Sequence, residues 1–162
     1  MNTPVMTDQN AQLRWHSLLA RFSFLALMVW AVTTWVTGYV FAPLMFAKWP
    51  KIEAGLITGE LLRMTYLVSL LCAIVLLIDY RVRFAGQLLH HKSLWLTLIA
   101  LFIVVIQYAV ITPKMQTLKA TMLNNPADMS AFMQMHGVSQ VLYLVTSLLL
   151  VALVWWQLRK CE

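Results

Sequence analysis

Residues 22–47 read FSFLALMVWAVTTWVTGYVFAPLMFA and contain no charged side chain. The hydrocarbon core of a bilayer is about 30 Å thick, and about 20 apolar residues of α-helix cross it. This stretch is therefore long and apolar enough to span a membrane. Its apolar part also exceeds the roughly 7–15 residues of a signal-peptide core, which predicts that the span is retained in the mature protein.

Three further runs qualify as spans when the chain is divided at its charged residues. The second run is short unless it begins near Gly59, and a hairpin of short helices is its alternative. The four predicted spans are residues 22–42, 59–79, 94–113 and 138–158. Around them, the sequence predicts a polar N-terminal tail and surface helix (1–21), one membrane domain (22–158) and a C-terminal tail (159–162).

The composition excludes several classes of protein. The chain is 61% hydrophobic and only 11% charged, whereas soluble domains carry about 25% charged residues. A soluble enzyme, a disordered tail and a secreted disulfide scaffold are therefore excluded. The net charge of +6 lies in short flanks beside apolar runs, which favours membrane orientation over nucleic-acid binding. The predicted fold class is all-α, a four-helix transmembrane bundle with up-down topology.

The distribution of lysine and arginine predicts the orientation. With four spans, seven of these residues share a side with the two termini, and five lie on the other side. Because cytoplasmic loops are enriched in positive charge, both termini are expected in the cytoplasm.

Polar features gather at one depth on the predicted outer side. Counting about 1.5 Å per residue from the charged ends of each span brings them to the same level. The residues at this level are Pro43, Gly59, Glu60, Arg63, Pro113 and His136. Ionisable groups at or inside a membrane usually face protein or water, which makes this level a candidate functional site.

Glu60, Arg63 and His136 are the candidate site residues with ionisable side chains. Glu60 and Arg63 are three residues apart and can pair on one helix face. Gln140 follows His136 by one helical turn and belongs to the same polar stripe. The alternatives are an ordinary surface ion pair and a histidine bonded to a neighbouring helix.

A metal site is a second interpretation of the histidine. His136 lies close to Met133 and Met135, and methionine with histidine suits copper better than calcium or magnesium. No fixed ligand spacing accompanies them, so the copper signal is weak and no cofactor is expected. A haem is disfavoured because His136 has no second histidine within the spans to complete a pair of axial ligands.

Glycines and prolines mark the expected helix contacts and breaks. Gly55 and Gly59 form a G-x-x-x-G spacing, which allows helices to approach closely in a membrane. Pro43 and Pro113 are expected to end helices, because proline lacks a backbone donor. Asn125-Pro126 predicts the start of a long last helix that reaches about Gln157.

Two stretches resemble a known family. They are residues 37–46, TGYVFAPLMF, with Gly38 and Pro43, and residues 132–139, FMQMHGVS, with Gly137. Together with Gln107 and Pro113 they resemble the transmembrane protein 205-like family, which is also catalogued as a domain of unknown function. The resemblance implies a small four-helix protein of the bacterial inner membrane and adds Gln107 to the candidate polar site. It implies no reaction.

Three functional hypotheses follow. The first is a non-enzymatic, multi-pass membrane protein that binds or passes a small solute or metal ion at the outer-facing site. The second is an accessory or assembly protein that packs beside a larger membrane complex or a second copy of itself. The third is a small metal- or haem-dependent oxidoreductase.

Overall fold

A computed structural model gives the fold. It describes residues 4–84, 86, 91–121, 123 and 125–159, with the backbone alone for residues 4–13 and 16. The helical elements in chain order are α1 (Pro4–Trp35), π1 (Val36–Phe41), α2 (Ala42–Lys48), α3 (Lys51–Arg83), α4 (Lys92–Ile106), π2 (Gln107–Ile111), α5 (Thr112–Thr121) and α6 (Pro126–Leu158).

Four helical stretches in the described part of the chain are long and apolar enough to cross a membrane. They are Ser17–Lys48, Lys51–Arg83, Lys92–Thr121 and Pro126–Leu158. The all-helical class is thus confirmed, as is the presence in this part of the chain of four helices that could each span a membrane. Each stretch has 30 to 33 residues, or about 45–50 Å of helix, because the helices continue beyond the charges used to set the predicted limits. The second span is one continuous helix, so the alternative of two short helices is wrong.

The distribution of side chains is the reverse of that in a water-soluble bundle. Large apolar side chains such as Leu71, Phe102 and Leu148 point outward, as expected for contact with lipid. Helix pairs α1–α3, α3–α4, α4–α6 and α6–α1 pack against one another. Between them lies an apolar core that includes the fully buried Trp30 and small residues such as Ala73 and Ala100.

Neither Pro43 nor Pro113 ends its helix, contrary to expectation. A short π-helical segment precedes each proline, and the helix continues beyond it. In these segments the N–H of Ala42 bonds the carbonyl of Thr37, and the N–H of Thr112 bonds that of Gln107. The wider turn explains the continuity, since a proline ring clashes with the fourth preceding carbonyl in a regular α-helix.

The starts of the first and last helices compare differently with the prediction. The N-terminal surface helix expected within residues 1–21 is part of the same helix as the first span, since α1 begins at Pro4. The start of α6 is as predicted: the side chain of Asn125 accepts a hydrogen bond from the N–H of Ala127 at 3.0 Å. Residues 1–3 and 160–162 lie outside the described residues.

Candidate functional site

A buried polar layer crosses the interior of the bundle at the level of the π-helical segments. We define it by the side chains of Thr37, Thr65, Tyr66, Gln107 and Ser139. Four of these side chains are almost fully buried and Ser139 is partly buried. Since polar groups buried at membrane depth are costly unless satisfied, the layer is the strongest candidate for a site.

Gln107 is the centre of the polar layer. Its Oε1 accepts hydrogen bonds from the hydroxyl of Tyr66 at 2.8 Å and from that of Ser139 at 2.9 Å. These two donors come from α3 and α6, so one amide oxygen connects three helices. Only 1% of Gln107 is exposed.

The other half of the same amide has no protein partner. Gln107 Nε2 is buried and makes no hydrogen bond among the described residues. Most buried polar atoms in proteins have a partner, and leaving one without a partner costs about 1–3 kcal/mol. The amide is thus half satisfied, with its hydrogen-bond donors free.

The local backbone positions Gln107. It is the first residue of π2, and its carbonyl accepts both the N–H and the hydroxyl of Thr112, the latter at 2.8 Å. Two groups of one residue therefore hold the wider turn open. π-helical turns of this kind are rare and frequently occur at functional sites.

The first span joins the layer in a similar way. The hydroxyls of Thr37 and Thr65 are 3.0 Å apart and hydrogen-bonded. Tyr143 on α6 donates to the carbonyl of Thr34 at 2.5 Å. A tyrosine thus bonds each of the two spans that contain a π-helical segment: Tyr66 bonds at π2, and Tyr143 bonds just before π1.

Glu60 and Arg63 lie outside the polar layer. They form an ion pair with a nitrogen–oxygen distance of 3.7 Å, and 58% of Glu60 and 47% of Arg63 are exposed. Glu60 lines a shallow, open groove on the outer face of α3. An exposed pair of this kind contributes about 0–1 kcal/mol.

His136 and Gln140 contact each other rather than Glu60 or Arg63. Their Nε2 atoms are 3.1 Å apart, and the His136 ring stacks on Phe132. Among the described residues, no hydrogen bond or ion pair joins His136 to Glu60 or Arg63. In the described part of the chain, the structure thus brings Glu60 to Arg63 and His136 to Gln140. That all of them form one combined site stays a prediction.

The methionines beside His136 differ in exposure. Met133 is exposed and Met135 is partly buried. Within the described ranges, no group of three or more histidine, cysteine, aspartate or glutamate residues could hold a metal ion. Methionine is not among these residue types, so the copper interpretation stays a prediction.

The glycines have three different surroundings. Gly55 and Gly59 face Lys119, whose Nζ donates to the carbonyl of Gly55 at 3.0 Å. A Cβ at Gly38 would overlap the ring of Tyr143, whereas one at Gly137 would meet nothing within 4 Å. The G-x-x-x-G face thus accommodates a lysine head group, and among the described glycines the tightest contact with another helix is at Gly38.

Sequence reasoning missed several buried polar residues. Thr37, Thr65 and Tyr66 carried no signal stronger than that of other hydroxyl residues within apolar runs. Asp79 was used only to mark the end of a span, yet 1% of it is exposed and it pairs with Arg83. The available signal was that Asp79 is the one acid within residues 64–80.

Comparison with known proteins gives a family and no activity. No curated protein and no solved structure matches the chain. The family model of the domain of unknown function DUF4149 matches residues 25–124. This range includes Thr37, Thr65, Tyr66 and Gln107 of the polar layer. The resemblance to the transmembrane protein 205-like family is finer than this match and stays a prediction. The chain, with four helices long and apolar enough to span a membrane in its described part, belongs to the DUF4149 family.

Proposed function

We propose that this protein binds a small polar solute inside its four-helix bundle, at the polar layer. The observation that carries the proposal is the free amide nitrogen of Gln107, which is buried and has no partner among the described residues. Its two hydrogens fit a solute that offers an oxygen acceptor, such as a carbonyl or hydroxyl group.

The charge of the layer narrows the class of solute. All five side chains of the polar layer are uncharged, and the ion pair Glu60–Arg63 is exposed and compensated within itself. A charged solute would lose its hydration without gaining an opposite charge. The solute is therefore a neutral molecule that forms hydrogen bonds.

Thermal unfolding in detergent with a panel of neutral amides and ketones tests the proposal. We expect at least one of them to raise the Tm of the wild type and to leave that of Gln107→Leu unchanged. A solute at 100 times its Kd adds about 2.7 kcal/mol to the free energy of unfolding. Gln116→Leu is the matched control, because Gln116 is exposed on α5.

The opposite result has a clear meaning. The polar layer would be a packing device if Gln107→Leu keeps or raises the Tm and the panel shifts neither protein. A panel that stabilises Gln107→Leu as much as the wild type would contradict the assignment of the site.

For the location we infer a bacterial inner membrane, with both termini in the cytoplasm and spans that alternate in direction. Two contacts support opposite directions for the second and third spans. Tyr66 bonds Gln107, whereas Gly55, which precedes Tyr66, bonds Lys119, which follows Gln107. The seven-to-five distribution of lysine and arginine supports the side of the termini.

Reporter fusions test this orientation. We expect a reporter that is active only in the periplasm to be silent at the C-terminus and active when inserted between residues 121 and 126. The reverse pattern would overturn the orientation, and activity at both positions would overturn the four-span topology.

A further inference from the structure

A second buried polar cluster lies at the opposite end of the bundle from the predicted outer level. We name it the Asp79 cluster and define it by Ser23, Asp79, Arg83 and Ser93. Ser23 and Asp79 are each 1% exposed, and Ser93 is 2% exposed. An ionisable group buried at a membrane boundary is a candidate for function.

Chain spacing places the three buried members at one level. Each is separated by the same stretch of chain from a member of the polar layer: Ser23 from Thr37, Asp79 from Thr65, and Ser93 from Gln107. This common separation is nearly four helical turns, or about 21 Å along a helix. With spans that alternate in direction, all three side chains therefore lie on inward faces, at one distance from the polar layer.

The cluster contains several polar atoms without partners. Oδ2 of Asp79 pairs with Arg83, but Oδ1 of the same carboxylate has no partner among the described residues. The hydroxyls of Ser23 and Ser93 and the Nε of Arg83 also lack partners there. One carboxylate oxygen and two hydroxyls on adjoining helices are thus available to hold something small.

The charges in and around the cluster favour a proton as its ligand. The Arg83 head group already compensates Asp79, so a metal cation would meet a positive neighbour. The other charged side chains described at this end are those of Arg14, Arg21, Arg81, Lys92 and Arg159, and all five are exposed rather than buried in the cluster. The rings of His91 and Phe84 lie against each other at a tilt, with centroids 3.8 Å apart.

We propose that Asp79 is a proton-binding group. A proton from water at this end attaches to Oδ1 and is held by a hydroxyl of Ser23 or Ser93. The ion pair with Arg83 opens, and the net charge of Asp79 and Arg83 changes from zero to +1. The charge stays on Arg83, which is 23% exposed and can turn towards water. Neither the polar layer nor a solute is required for this step.

Infrared spectra of the protein in a lipid film, recorded at neutral and acidic pH, test the proposal. We expect the wild-type difference spectrum to contain a carboxylic acid C=O band that is missing from Asp79→Asn. Glu60→Gln is the matched control and should retain that band, because Glu60 lies on the exposed face of the same helix. Identical C=O bands in the wild type and Asp79→Asn would overturn the proposal.

A second variant leaves the carboxylate in place, in case Asp79→Asn does not fold. In the double variant Ser23→Ala/Ser93→Ala, the protonated acid loses its hydroxyl partners, so its C=O band should move to a higher wavenumber. Ser130→Ala, at a serine of α6 far from the cluster along the chain, should leave the band in place. An unmoved band in the double variant would contradict the role of the two serines and, with it, the site.

Discussion

Replacing Arg83 with methionine is expected to lower the free energy of unfolding by about 3–5 kcal/mol, because it leaves Asp79 buried without an opposite charge. Only 1% of Asp79 is exposed, and Arg83 is its ion-pair partner. Equilibrium unfolding in detergent measures the loss. The matched control is Arg63→Met, which removes an exposed partner of Glu60 and should cost no more than about 1 kcal/mol.

The double variant Asp79→Leu/Arg83→Met shows whether the loss comes from the uncompensated charge. Replacing a whole buried ion pair with apolar residues is often neutral or stabilising. We therefore expect the double variant to regain most of the stability that Arg83→Met loses. A cost for Arg83→Met as small as that for Arg63→Met would show that the unpaired Asp79 reaches water or takes up a proton.

Alanine at Gly38 is expected to destabilise the bundle by about 1–3 kcal/mol, the usual cost of overpacking. The new Cβ would overlap Cε1 of Tyr143 and lie 2.9 Å from its hydroxyl oxygen. The ring must then move, and its hydrogen bond to the carbonyl of Thr34 is weakened. Thermal unfolding of the purified protein measures the effect.

Gly137 provides the control, because a Cβ there meets nothing within 4 Å. Gly137→Ala should be neutral or stabilise the helix by up to about 1 kcal/mol, since alanine is the better helix former. A double-mutant cycle with Tyr143→Leu should show coupling of about 0.5–3 kcal/mol with Gly38→Ala. Additive effects would mean that the two residues do not restrict each other.

The spans and the last helix could be predicted from the sequence because they depend on local properties. Charge-free runs define where a chain can cross a bilayer, and Asn125 followed by Pro126 fixes the start of α6 within a few residues. The helices extend beyond the predicted spans, since nothing in an α-helix requires it to end at the membrane surface.

The arrangement of the site could not be predicted because counting residues gives depth but not direction around the bundle. Glu60 and His136 are predicted at one level, yet Glu60 is exposed and pairs with Arg63. Gln107 is turned inward to Tyr66 and Ser139. The effect of the two prolines could not be predicted for a related reason. A missing backbone donor can end a helix or widen one of its turns, and contacts with other helices decide between these outcomes.

The two halves of the bundle share one design. Thr37 and Gln107 each stand six residues before a proline, at a π-helical segment whose span is followed by an uninterrupted helix of 33 residues. In each half, a threonine or serine hydroxyl of the second helix bonds the span before it. A tyrosine of the same second helix bonds the span with the π-helical segment in the other half. The structural module is thus a pair of consecutive spans, the first with a π-helical segment and the second uninterrupted, used twice along the chain. One such pair bound to a copy of itself could supply every class of contact in the polar layer, which is the pattern that duplication of an ancestral two-span protein would leave.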